Sequence, residues 1–586
     1  MRKSIALTLL TLLSLTLLLA ADNSAPRQSI VPDRRSGRPA GTVHPDVPTG
    51  PWNLPFPRLG MWNPIFDVNT VAECGKFDML AGIFYYDLYW DPTLGKFSKA
   101  LYGANPDIQL FTYYTACETW PGQNWWGPLK HNPFMPDWPD EWFATEAGTV
   151  LAADIDAEQT GIPVKDWAKA GPSLGARDSP WSIFRVGGDV QCDGEIMKVK
   201  GLDEANTSLI VERNLHNRVG KGARHGKEHK AGTRIAPLIG FWPTTYTMNL
   251  TLDCPKAQLH GASRPELFSE YHFRMSQTGA AGYFWDLSAD KNAVMFDRLE
   301  DSISWRLYTP TCSFDLNRDN VPDSLAELDA SWQKGVEYVH SLFTQQWPTL
   351  PVARNKSRSR NFGGYNGENF ESWPQYAWDT WDIQPDRGRT KYWHQQFFGD
   401  KDKNIGGMYE YGAQSRTPNF TLVVTSDDEL NEHPERYTKY VSMAKPGFVP
   451  DYKKMRWGLC SALCAGVVFG YEINSEKHGM AGLLWFDEYD DAGANRGYLG
   501  YPKGEIVKLY TDPKKEKYGA WGREYDYGFV IVNPLEYEVE VSLPAGQWQR
   551  IKGPQSPDYN DGRMEQGQVK VGPYDGLVLK RFMPAA

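Results

Sequence analysis

Cysteine is scarce in this chain of 586 residues: seven, at Cys74, Cys117, Cys192, Cys254, Cys312, Cys460 and Cys464, with no C-x-x-C pair. That pattern gives no support to a zinc site, and an odd count leaves at least one thiol outside any bond within a monomer. Cys460 and Cys464, four apart in an expected helix, read as small buried residues. Positive charge is also in short supply. The formal net charge is −10, and loss of Arg2 and Lys3 with a leader takes it to −12. This argues against nucleic acid or an anionic membrane as partner. No G-x-x-x-x-G-K-[ST] loop, G-x-S-x-G elbow or H-E-x-x-H helix occurs, so nucleotide, serine-hydrolase and zincin chemistries lose their usual signatures. No organic cofactor is expected for catalysis.

Long apolar runs are absent except for one, Ile5 to Leu19, which follows Arg2 and Lys3 and gives way to Ala20, Ala21 and Asp22. Residues 1–21 therefore read as a secretory signal peptide, implying a secreted or periplasmic protein with no membrane association after cleavage. Residues 22–56 are rich in Pro, Ser, Arg and Gly and read as a linker.

What is abundant is aromatic: 23 Trp, 30 Tyr and 26 Phe, many at the ends of apolar runs. Sugar rings stack their apolar faces on such side chains, although a large core uses them too. From Leu59 the chain alternates short apolar runs with polar or helical stretches. The runs are Leu59 to Trp62, Met79 to Tyr86, Ile108 to Tyr114, Ile239 to Tyr246, Ala281 to Trp285, Pro351 to Asn355, Phe420 to Thr425, and Gly482 to Phe486. With helices expected at Pro265 to Gln277, Ser324 to Phe343 and Lys454 to Val467, this predicts an α/β fold, a (β/α)8 TIM barrel over 57–502. A β-rich insertion is expected over 186–236 and a C-terminal antiparallel β-sandwich over 503–586.

Catalytic acids in a barrel stand at the C-terminal ends of strands. Gly282 to Trp285 runs into Asp286, and Tyr365 to Trp373 carries Glu368 and Glu371 among aromatics. Asp286 is the expected nucleophile or base and Glu371 the expected general acid, because a glycosidic bond needs one ionised and one protonated carboxyl. The two roles are interchangeable at this level, and Glu368 is the alternative to Glu371. Asp87, Trp242, Trp285, Asn355, Trp373, Asp487 and Glu488 are candidate sugar-binding residues.

In their order along the chain these segments resemble a family of poorly characterised barrel glycosyl hydrolases related to the endo-α-1,4-polygalactosaminidase group. The resemblance rests on the aromatic strand ending at Asp286, the loop Asp315 to Asp323, the stretch Asn366-Gly367 to Glu371-Ser372, the segment Trp485 to Asp490, and Arg523-Glu524-Tyr525 with Gly528 to Pro534. It implies a (β/α)8 barrel with a C-terminal β-domain, an acid on the strand of Asp286, and a glutamate followed by serine, here Glu371.

The loop Asp315, Asn317, Asp319, Val321, Asp323 spaces its oxygens as a calcium loop does, and a structural Ca²⁺ is one expectation for it. Asn320 replaces the sixth-position glycine and Ala326 the closing glutamate, so a plain acidic helix-capping loop is the other. The expected function is a secreted glycoside hydrolase acting on a carbohydrate substrate. The alternative is a non-catalytic carbohydrate-binding or cell-surface protein on a barrel scaffold, which would need stacking platforms but no paired acids.

Overall fold

The computed structural model describes residues 52–62, 71–83, 100–119, 137–165, 184–217, 226–241, 245–259, 261–277, 292–303, 313–355, 357, 359–373, 389–427, 450–473 and 484–582. The expected leader and most of the expected linker lie outside these residues, as do Asp87, Trp242, Trp285 and Asp286. No helix among the described residues is long and apolar enough to cross a membrane.

Eight parallel strands form the central sheet: β1 Gly60–Trp62, β2 Met79–Ile83, β3 Gln109–Tyr114, β4 Asn292–Asp297, β5 Val352–Asn355, β6 Glu368–Trp373, β7 Leu422–Asp427 and β8 Val468–Ile473. Neighbours in sequence pair along the whole series, and a parallel bridge between Leu59 and Phe469 joins the last strand to the first. The sheet is thus a (β/α)8 barrel. Inward positions carry Met79, Ala81, Phe111, Ala293, Met295, Ala353, Leu422, Val424 and Val468, while Leu80, Leu110, Phe370, Val423 and Phe469 face the helical layer. This two-residue alternation is what strands buried on both faces require.

Five of the eight expected runs coincide with barrel strands. Ile239 to Tyr246 contributes only to a two-stranded ribbon, Tyr246–Thr247 with Glu118–Thr119. Residues 281–285 lie outside the described residues, and the fourth barrel strand is Asn292–Asp297. The final strand is Val468–Ile473, ahead of the expected Gly482 to Phe486. The barrel closes with eight strands among the described residues.

Helices form where caps and spacing dictate. In Leu325–Gln346 the Ser324 side chain accepts from the Glu327 amide, and Leu328, Trp332, Val336, Val339 and Phe343 recur at helical spacing on the buried face. The helix Tyr452–Ala465 starts on Asp451, which accepts from Lys454 N, and ends at Gly466 with φ 73°, a left-handed stop that glycine adopts without strain. It is buried from Lys454 to Ala465 because the barrel lies on one side and the C-terminal domain on the other.

Trp52 and Leu54 plug the N-terminal end of the barrel, Trp52 lying 4.8 Å from Phe420 between ring centroids. The tail of the expected linker is therefore core. The insertion between β3 and β4 is a six-stranded antiparallel sheet reaching from Thr149–Val150 to Arg234–Pro237, wider than the expected 186–236. The C-terminal region packs a six-stranded antiparallel sheet against the pair Val539–Ser542 and Gln568–Val571 around Phe529, Ile531, Trp548 and Leu579. That is a β-sandwich, as expected.

Candidate active site

Register sets the site. Asp297 ends β4 opposite Asn355 at the end of β5, and Asn355 lies opposite Asn369 of β6. All three continue the inward series, so three polar side chains meet at one level at the C-terminal end of the barrel, where active sites of this fold are built. Glu371 lies two residues further along β6. The register of β6 shifts between Phe370 and Trp373, so that one extra residue is accommodated there. A bulge of this kind re-aims side chains: Phe370 and Trp373 both face the helical layer, and Glu371 between them faces the barrel mouth.

The contacts form one network. Asn355 Nδ2 donates to Asp297 Oδ1 at 2.6 Å and to Glu371 Oε2 at 2.9 Å. Those two lengths together cap the distance between the carboxylate oxygens at 5.5 Å. Asn369 Nδ2 donates to Asn355 Oδ1 at 2.9 Å, and the Tyr113 hydroxyl donates to Asp297 Oδ2 at 2.5 Å. Asp297 is 3% exposed, whereas Glu371 is half-buried and nearer solvent. Trp62 of β1 lies beside Tyr113, ring centroids 6.2 Å apart.

Burial pushes the Asp297 carboxyl up to about 6, and the charge of Glu371 pushes in the same direction. Tyr113, Asn355 and Arg298 act against the rise by favouring the ionised form. Because the folded-state value is raised, Asp297 stabilises the fold fully only below its unfolded value, and that contribution is lost as pH rises through about 6. Asp297→Asn should therefore melt higher than the wild type above pH 6, by at most about 3 kcal/mol, with the gain vanishing near pH 4. Thermal melts of both proteins across that range check it.

The other candidates are placed as follows. Glu368 is fully buried on the outward face of β6, taking a hydrogen bond from Ser357 at 2.6 Å and standing 3.9 Å from Arg354. Arg354 in turn pairs with Asp301 at 2.9 Å and lies over the Tyr365 ring. Glu368 thus belongs to a charge cluster behind the strand, on the face opposite Glu371. Trp373 packs on Trp457 of the helix Tyr452–Ala465, centroids 5.2 Å apart, and is 2% exposed, so it presents no face to a sugar. Asp487 and Glu488 meet the C-terminal domain: Asp487 accepts from Gln555 N at 2.8 Å and Glu488 from Asn560 Nδ2 at 3.1 Å. Of the candidates within the described residues, Asn355 and Glu371 are the two that come together.

The loop from Asp315 to Asp323 uses its own oxygens. Asp315 accepts from the amides of Asp319 and Asn320, each at 3.0 Å, and from Arg234 at 2.7 Å. Asn317 accepts from Asp319 N, Asp319 from Val321 N, and Asp323 from Leu316 N. A guanidinium occupies the position a calcium ion would need beside Asp315, and no cluster of three or more His, Cys, Asp or Glu among the described residues could hold a metal ion. The loop does not fit Ca²⁺. It docks the insertion instead, with Asp315 N donating to Thr145 O and Arg318 to Asp140 O.

Sequence inspection misses Asp297, Tyr113 and Asn369. Asn292-Ala-Val-Met-Phe-Asp297 is itself an apolar run ending on an acid, the same signal as the one at Asp286.

No family model matches the chain, and no curated protein matches it. Among solved structures it is similar to Eubacterium rectale Amy13B at 9% identity and TM-score 0.38, over 87% of this chain and 89% of that one. It is also similar to the noncanonic maltogenic α-amylase AmyB from Thermotoga neapolitana, at 9% identity and TM-score 0.34, over 90% of each chain. A third neighbour is the glycoside hydrolase domain of PelA from Pseudomonas aeruginosa, at 11% identity and TM-score 0.26, over 65% of this chain and 88% of that one. Two of the three thus carry names of enzymes that act on carbohydrate. A likeness this distant carries no inference about this chain's own reaction.

Proposed function

We propose that the protein is a glycoside hydrolase acting outside the cytoplasm on a polysaccharide or oligosaccharide, with Asp297 as nucleophile and Glu371 as general acid and base. The observation that carries this is the single Asn355 amide that donates to both carboxylates. Retaining glycosidases hold their acids about 5 to 5.5 Å apart, and inverting ones about 6.5 to 9.5 Å to admit a water. The oxygens joined by the shared donor fall within the shorter range, so the reaction should proceed with retention.

The division of labour follows from surroundings. Asp297 has each oxygen held by a donor, which keeps its ionised form aimed at one point, as an attacking group requires. Glu371 stands nearer solvent on a longer arm and can reach a glycosidic oxygen. In the first step an Asp297 oxygen bonds to the anomeric carbon while the glycosidic C–O bond breaks and the Glu371 proton passes to the leaving oxygen. In the second, Glu371 takes a proton from water, whose oxygen displaces Asp297 from the anomeric carbon. The first step needs Asp297 ionised while Glu371 holds its proton, so the acid limb of the pH–rate profile reports the Asp297 carboxyl, which burial pushes above the usual carboxylate range.

The test is reducing-end release from a panel of bacterial and plant polysaccharides, with the anomeric form of the first product read by NMR. Release with retained configuration and an acid limb above the usual carboxylate range supports the assignment. Inverted product would remove Asp297 from the nucleophile role. Polysaccharide binding without release across the panel would favour the non-catalytic protein.

A further inference from the structure

Asn355 serves the two carboxylates only if its amide is held one way round. Its NH2 group faces Asp297 and Glu371, and the reversed amide would set its oxygen against theirs and lose both donations. The carboxylates favour that choice from one side, and Asn369 holds it from the other: its Nδ2 donates to Asn355 Oδ1, and both side chains are buried, Asn369 at 0% exposure and Asn355 at 1%. The arrangement leaves Asn369 Oδ1 buried with no hydrogen-bond partner. A buried acceptor without a donor is a cost the fold would shed by placing an apolar residue of the same size there. Its presence points to a task that a leucine cannot perform.

We infer that Asn369 is a positioning residue that acts through Asn355, locking the amide with its NH2 toward the carboxylate pair. The kinetic side of this rests on the proposed hydrolase function. The groups facing Asp297 are Tyr113 from β3, Asn355 from β5, Glu371 from β6 and Arg298 beside it, the last engaged with Glu300 at 3.0 Å. When Asn355 is free to turn, Asp297 loses one of its donors while Glu371 stays close, so its ionised form becomes harder to hold.

The experiment is Asn369→Leu, with Asn369→Ser as a second variant whose side chain is too short to reach the Asn355 oxygen. Turnover should fall about tenfold, the scale of one lost hydrogen bond, with KM little changed. The acid limb should move up by about half a unit to one unit. A readout without substrate runs alongside it: the pH dependence of melting temperature in each variant, compared with the same variant carrying Asp297→Asn, reports the titration of Asp297. That midpoint should also rise. If the wild type hydrolyses no sugar, the proposed function falls while this readout still decides the role of Asn369. An unchanged midpoint and acid limb in whichever variant folds, with or without a change in stability, would overturn the inference.

Discussion

Asp297→Asn and Glu371→Gln should each lower turnover by about 10²–10⁴-fold, the range expected for a reacting carboxyl in this chemistry. Both substitutions keep size and one acceptor oxygen for the Asn355 amide; at Asp297→Asn the new NH2 then faces the Tyr113 hydroxyl, which can turn to accept. The two roles separate under chemical rescue. With Asp297→Ala, azide can enter the space left by the carboxylate and attack the anomeric carbon directly, giving a glycosyl azide of inverted configuration. With Glu371→Ala, the glycosyl-enzyme still forms from substrates with good leaving groups, and azide intercepts it to give a retained product. Reversed configurations would exchange the assignments. Full activity in both variants would discard the pair and return attention to Asp286.

How far the sequence reveals this site depends on which physical signal each part carries. Strands such as Ile108 to Tyr114 and Phe420 to Thr425 are short apolar runs bounded by polar chain, and the structure puts barrel strands there. The stretch 281–297 holds two such runs, each ending on an acid, and composition cannot say which one the barrel admits. Asn292–Asp297 pairs with β3 and β5, and pairing is a long-range property. Glu371 and Glu368 illustrate the same limit. Three residues apart, they look alike on paper. Strand alternation and the bulge after Phe370 send Glu368 outward to Ser357 and Arg354 and Glu371 to the mouth. Asn355 was legible as the polar end of an apolar run, but Asn369 and Tyr113 gain meaning only from their neighbours across the sheet. The calcium-like spacing of Asp315 to Asp323 misleads for a related reason: oxygens at alternate positions also suit a loop that binds its own amides, and Arg234 arrives from a strand some eighty residues earlier.

A large loss of stability should come from Asp575→Ala, far from the carboxylate pair. Arg456, inside the helix Tyr452–Ala465, meets Asp575 of the C-terminal domain through two hydrogen bonds, Nε to Oδ1 at 2.9 Å and NH2 to Oδ2 at 3.0 Å. Its guanidinium also lies over the Tyr559 ring, 3.7 Å from the centroid. Both members of the pair are 5% exposed, so the alanine variant strands a cation where water cannot replace its partner. Removing one side of such a buried pair costs about 3–5 kcal/mol, whereas replacing both sides by apolar groups is often neutral or stabilising. The double variant Arg456→Met with Asp575→Leu should therefore recover most of what Asp575→Ala loses. Substitution next to the pair cannot be softened in that way, since a Cβ on Gly576 would run into the Arg456 carbonyl oxygen and the Cys460 sulfur. Because the helix Tyr452–Ala465 also packs against β7 and β8, loosening it should reach the barrel wall. Thermal unfolding followed by both tryptophan fluorescence and far-ultraviolet circular dichroism checks this: Asp575→Ala should lower both transitions together. A loss confined to a separate early transition would mean that the sandwich detaches without disturbing the barrel.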